Sequence, residues 1–241
     1  MGGPLIFWLA VWALAASVVG KELLLPGPAA VAWTLADLAM SGAFWRSALT
    51  SLARVTAGFL MGAAAGTALG AATAAFPWCE LLVSPALRAV RAVPVVSFIL
   101  LLFFWLPTGQ VPVAVSGLMA LPVVWRAARQ GIAAVDPQLI ELGRAYRLGR
   151  WRTFRFIYLP DTLPALSAGW ETALGLAWKS GVAAEVLCQP KWAAGTGLQT
   201  SKAYLDSPSL FAWTAVIVAM SLVMESLFKW LLRRWRGGGD G

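Results

Sequence analysis

The chain has 241 residues, of which 59% are hydrophobic and 12% charged, with a formal net charge of +8. Soluble domains average about 25% charged residues, so this composition points away from a soluble globular protein and toward a chain whose main solvent is lipid. It contains no His, which removes His-based acid–base catalysis, Ser-His-Asp triads and His-ligated metal sites.

In chain order the apolar stretches are Pro4–Gly20, Val55–Pro77, Ala92–Leu106, Val111–Trp125, Thr162–Leu187 and Leu210–Leu232. A helical crossing takes about 20 residues, which the first, second, fifth and sixth stretches supply. The third and fourth are short and carry Pro94, Pro112 and Pro122. They flank the uncharged turn Pro107–Gln110, so they are expected either both to cross or both to re-enter. The first stretch has no basic residues ahead of it and reads as a retained helix rather than a secretory signal. With the N-terminus inside, the inner segments collect Arg88, Arg91, Arg126, Arg129, Arg144, Arg147, Arg150, Arg152, Arg155, Lys229, Arg233, Arg234 and Arg236. The outer segments hold Lys21, Arg46, Arg54, Lys191 and Lys202. That asymmetry follows the positive-inside rule and places both termini in the cytoplasm. The positive charge therefore reports membrane topology and contact with lipid, not nucleic acid. The expected fold is all-α: a polytopic membrane helix bundle of about six transmembrane helices, one domain over residues 1–241.

The second span carries Gly58, Gly62, Gly66 and Gly70, a glycine every fourth residue along one helical stripe. Small residues there let another helix approach closely, because in lipid it is van der Waals contact that holds helices together. The partner is either another helix of this chain or a second subunit. The fifth span contains Glu171, Lys179 and Glu185, each costing about 3 kcal/mol or more if left in hydrocarbon. Two readings follow: the three groups line an aqueous translocation pathway, or they pair structurally with groups elsewhere.

The segment Arg126–Pro160 carries seven Arg against Asp136 and Glu141, with Leu139, Leu142, Tyr146, Leu148, Trp151, Phe154 and Tyr158 at helical spacing. It is a basic amphipathic element, suited either to anionic lipid headgroups or to a partner's groove. Cys79 and Cys188 show no metal-type spacing and receive no role.

The run Glu141-Leu-Gly-Arg-Ala-Tyr-Arg147, continuing through Gly149 to Leu159-Pro160, resembles the Glu-Ala-Ala loop of permease subunits in binding-protein-dependent ABC importers. Glu141, Leu159 and Pro160 match that signature in register. Leu142 and Gly143 stand at its two Ala positions, and Arg147 at its Gly position. Leu25-Pro-Gly-Pro28, Ser51-Leu-Ala-Arg54 with the glycine stripe, and Ala183-Ala-Glu185 resemble the nitrate, sulfonate and taurine branch of that family.

The resemblance implies a cytoplasmic coupling helix within the loop at about 126–160. Glu141, Arg144, Ala145, Arg147, Gly149, Arg150 and Trp151 would contact an ATPase subunit, and Leu159-Pro160 would open the next membrane helix. It also implies a homodimer of permeases and an extracytoplasmic solute-binding protein. That protein would dock on Lys21–Arg54 and Lys191–Pro208, where Trp33, Trp45, Trp192 and Tyr204 would equally suit an interfacial aromatic belt. The chain has no Gly-x-x-x-x-Gly-Lys-Ser/Thr loop, so ATP and Mg belong to the partner ATPase and this subunit has no cofactor or enzymatic activity of its own. The expected cargo is a small solute, an anion such as a sulfonate or nitrate, or a vitamin precursor. The alternative is a stand-alone secondary carrier, although the internal repeats such carriers show are absent here.

Overall fold

The computed structural model describes residues 2–237 and is helical throughout its regular structure, with no strand among the described residues. The helices are α1 (Gly2–Val19), α2 (Pro28–Met40), α3 (Gly42–Ala75), α4 (Pro77–Ala92), α5 (Val95–Trp105), α6 (Val111–Ala133), α7 (Pro137–Ala145), α8 (Arg150–Thr153), α9 (Leu159–Cys188), α10 (Ala194–Ala203) and α11 (Ser207–Gly237). A π-helical turn, Phe154–Tyr158, joins α8 to α9.

α3, α6 and α11 are each long and apolar enough to cross a membrane. α9 has 30 residues, about 45 Å of helix, and crosses the same bundle in spite of its ionisable groups. α3 begins well outside the expected span because Ser41 caps it, accepting from the Phe44 N–H at 3.2 Å.

Close approach of backbones organises the bundle. A methyl group at Gly58 or Gly62 would overlap the carbonyl oxygen of Val113 or Gly117, and at Gly66 or Gly70 it would meet Leu121 and Ala128. The partner of the glycine stripe is therefore α6 of the same chain. The matched positions rise together along both helices, so α3 and α6 run parallel. On the other face of α6, Gly131 meets Thr162, Gly169 meets Ala127 and Gly181 meets Ser116, so α9 runs antiparallel to it. Ser116 Oγ donates to the Ala177 carbonyl at 3.0 Å within this contact. Around the three helices lies the main apolar core, including Val55, Phe59, Val124, Leu174 and Trp178.

Parallel neighbours require the chain to return between them. α4 and α5 supply that return, meeting at Pro94 with a bend of 104°. α5 alone has 11 residues, about 16 Å, too short to span. The third and fourth apolar stretches thus behave differently from the symmetric pair expected. The fourth extends through Arg126 and Arg129 to become a 23-residue helix, while the third is one arm of a broken crossing. Pro94 removes a backbone donor and disfavours helix in the residue before it, which places the break.

One end of the bundle gathers α4, α7, α8 and most of the Arg residues; the opposite end carries α2 and α10. At the basic end Arg129 pairs with Glu80 at 2.6 Å, and Trp125 Nε1 donates to Thr73 Oγ1 at 3.0 Å, tying α6 to α4 and α3. α1 packs loosely against the rest, through a stack of Trp12 on Phe211 and a hydrogen bond from Trp12 Nε1 to the Pro26 carbonyl. Large apolar side chains such as Phe7, Trp8, Phe104 and Trp105 are exposed, as lipid-facing surfaces require.

Candidate translocation pathway and coupling surface

The ionisable residues of α9 fall into two separate places. Glu171 and Lys179 line a cavity of about 260 Å³ between α9 and α11, together with Gly175, Phe228, Glu225 and Lys229. Lys229 is read from sequence only as an inner-side charge and Glu225 is not read at all, although a Glu–Lys pair four residues apart inside an apolar run is a detectable signal. Gly175 lies beside the Glu225 carboxylate, a methyl group there standing in ordinary contact 3.7 Å from Glu225 Oε1. None of these four charges forms an ion pair, the pairs among the described residues being Arg54–Glu185 and Arg129–Glu80.

Glu185 lies elsewhere, apart from Glu171 and Lys179. Its side chain is fully enclosed at the opposite end of the bundle from the Arg-rich loop. Ser51 Oγ donates to Glu185 Oε2 at 2.7 Å, and the Gly195 N–H donates to the same oxygen at 3.2 Å. Arg54 stands 3.8 Å from Oε1 and also donates to the carbonyls of Lys191 and Trp192, both at 3.0 Å. The Ala194 N–H donates to Ser51 Oγ at 2.8 Å. A carboxylate thus caps the N-terminus of α10, where free N–H groups favour negative charge. The turn leading into α10 places Gln189 and Trp192 at φ 47° and 57°, left-handed positions unusual for residues with side chains. On the same end Trp33 and Tyr204 are exposed, and Arg46 lies 4.5 Å above the Trp192 ring.

At the basic end, Asp136 caps α7 by accepting from the Gln138 N–H at 2.8 Å. α7 closes in a Schellman turn: the Leu148 N–H donates to the Gly143 carbonyl at 2.9 Å and the Arg147 N–H to the Arg144 carbonyl at 3.0 Å. Arg147 occupies the left-handed position of that turn at φ 51°. The resemblance expects Gly at this position, and the backbone shows why: Gly enters that region without the cost a Cβ imposes. Gly143 is buried against Ile157, which holds α7 onto the π-helical turn. Gly149 caps α8, and Glu141, Arg144, Ala145, Arg150 and Trp151 are all exposed. Leu142, Tyr146, Trp151 and Phe156 form apolar surface at the same end, each more than half exposed. Leu159-Pro160 does not open a helix after a break. Helical backbone runs unbroken from Arg150 to Cys188, and the π-helical turn widens it just ahead of Pro160, whose ring would otherwise crowd the carbonyl four residues back.

A bundle with parallel α3 and α6, an antiparallel α9 and a capped helix on the loop before it is the architecture of an ABC importer permease. The sequence family of binding-protein-dependent transport system inner membrane components matches residues 58–237, and the chain belongs to that family. It is 29% identical over 236 residues to the riboflavin transport system permease protein RibX of Chloroflexus aurantiacus, covering 96% of this chain and 86% of that one. It is 25% identical over 238 residues to the putative aliphatic sulfonates transport permease protein SsuC of Bacillus subtilis, covering 97% and 86%. The fold matches a solved structure of the MetNI methionine ABC transporter in an inward-facing conformation, with a TM-score of 0.62 at 18% identity over 84% of this chain and 96% of that one. The chain is thus a multi-pass inner-membrane permease subunit of an ABC importer, of the nitrate, sulfonate and taurine branch.

Proposed function

We propose that this permease binds a cytoplasmic ATPase subunit through α7 and α8, pairs with a second copy of itself, and receives its solute from an extracytoplasmic binding protein at the α2–α10 end. Both termini then lie in the cytoplasm, and ATP and Mg act in the partner ATPase. The observation that carries this reading is the exposed apolar face of Leu142, Tyr146 and Trp151, held rigidly by the Asp136 cap and the Schellman turn and ringed by Arg144, Arg147 and Arg150. An amphipathic helix of that kind fits a hydrophobic groove, and its guanidinium groups fit carboxylates on the groove's rim. Because α8 continues through the π-helical turn into α9, displacement of the loop is transmitted along a continuous helix to Glu171 and Lys179. Those two residues, with Glu225, mark the path of the solute. Alternating access is then a shift between two states of the bundle, biased by nucleotide on one side and loaded binding protein on the other.

The experiment is uptake of labelled solute into proteoliposomes holding the permease and its ATPase. Leu142→Asp should abolish uptake and ATPase recruitment together, whereas Lys179→Met should abolish uptake and leave recruitment intact. Normal uptake by a well-expressed Lys179→Met protein overturns the pathway assignment.

A further inference from the structure

The π-helical turn Phe154–Tyr158 is held from two sides by different helices. Toward α9, α6 closes over the chain, a methyl group at Gly131 meeting Thr162 Cγ2 at 2.8 Å. Toward the loop, α7 grips the turn itself: Ile157 is buried, and a methyl group at Gly143 would meet its Cδ1 at 2.8 Å. Movement of α7 therefore reaches the membrane helix first at Ile157. The turn also leaves one polar group unmet. Thr34, Thr50, Thr67, Thr172 and Thr214 each donate to the carbonyl four residues before them, at 2.6–3.0 Å. The carbonyl four residues before Thr162 belongs to Tyr158, the last residue of the turn, yet the buried Thr162 hydroxyl has no hydrogen-bond partner among the described residues. Regular α geometry would offer that hydroxyl the Tyr158 carbonyl but would press the Pro160 ring onto the Phe156 carbonyl. The π geometry relieves Pro160 and leaves Thr162 unmet. Each arrangement carries one cost, so the turn is balanced between the two.

We propose that Phe154–Tyr158 is a two-position joint that passes between π and α geometry as α7 is loaded, with Ile157 as the positioning residue that carries the load. This deepens the coupling reading above and rests on it. A π turn holds one residue more than an α turn, so restoring α geometry turns α8 relative to α9 by up to one residue's step, about 100°. A push on α7 is thereby converted into rotation between the coupling surface and the membrane span. A partner that displaces α7 moves Ile157 and so favours one arrangement over the other.

The test is double electron–electron resonance on the purified permease–ATPase complex in lipid nanodiscs. One permease copy carries spin labels at Arg152→Cys and Ala168→Cys, both exposed positions, with Cys79→Ser throughout. In a regular helix these positions lie on nearly opposite faces, and across the π turn they come closer to one face, so the two arrangements differ by about 5 Å in label separation. The separation should change by about that amount between the nucleotide-free complex and the complex trapped with ATP and vanadate. Pro160→Ala should hold the longer separation in both conditions, and Thr162→Val, which keeps the shape and loses the hydroxyl, the shorter. Deleting Arg155, an exposed residue of the turn, removes the extra residue with α8 and α9 kept in register; the ATPase should still co-purify and the separation should no longer respond. Ile157→Ala should cut the response by more than half, and Ile157→Val should restore it. A full response in the Arg155 deletion or in Ile157→Ala overturns the joint. A bound and trapped ATPase with an unchanged wild-type separation removes the joint and leaves the coupling surface standing, whereas failure to recover the ATPase removes both.

Discussion

Ser51 Oγ lies 2.7 Å from Glu185 Oε2, joining residues 134 positions apart in the chain. Three helices meet through that bond, since the same serine oxygen accepts from Ala194 and the same carboxylate oxygen from Gly195. Ser51, Arg54 and Glu185 belong to the short motifs that resemble the nitrate, sulfonate and taurine branch, and the fold brings them into one buried cluster. Glu185→Ala would strand the Ser51 and Gly195 donors and remove the carboxylate that faces the Arg54 charge. It should lower stability by about 3 kcal/mol, read as a drop in the thermal unfolding midpoint of the purified protein in detergent. Glu185→Gln, which keeps the shape and an acceptor oxygen, should lose less than half as much.

The α3–α6 contact leaves no space for side chains at the glycine stripe. Gly62→Ala should destabilise by about 2 kcal/mol or more, because the added methyl meets α6 backbone rather than a movable side chain. Gly42→Ala, where nothing lies near the new methyl, should leave the folded yield unchanged. Equal yields for the two variants, measured by size-exclusion chromatography, would contradict the parallel packing.

Arg147 holds a left-handed backbone that glycine adopts freely. Arg147→Gly should stabilise the end of α7 by about 1 kcal/mol, seen as slower hydrogen exchange at the amides of Arg147 and Leu148, the two donors of the turn. Arg147→Val should speed exchange at the same amides.

Much of this architecture was legible in the residues because in lipid it depends on local signals: long apolar runs, glycines every fourth residue, and a basic amphipathic loop ending in Leu159-Pro160. The glycine stripe predicted close approach but not its partner, since helix packing in a membrane is written on both surfaces and only one was recognised as special. The bend between α4 and α5 escaped because Pro94 sits at the edge of an apolar run whose composition alone reads as one segment. The separation of Glu185 from Glu171 and Lys179 is not legible in the sequence for a different reason. Its partners Ser51, Arg54 and Gly195 come from helices distant in sequence, and no spacing rule along α9 distinguishes a carboxylate that caps α10 from one that faces a path. Glu225 was missed because it lies on the last span, four residues before a lysine that already served as an inner-side charge.

The central claim is that the exposed face of α7 and α8 carries an ATPase subunit, and the most direct measurement is co-purification of tagged permease from mild-detergent membranes. Wild type should bring down an ATPase subunit, Leu142→Asp and Glu141→Ala should recover less of it at equal permease yield, and Lys179→Met should recover as much as wild type. Absence of any ATPase with well-expressed wild type, or equal recovery with Leu142→Asp, would contradict the coupling surface and leave α7 and α8 as a lipid-surface element.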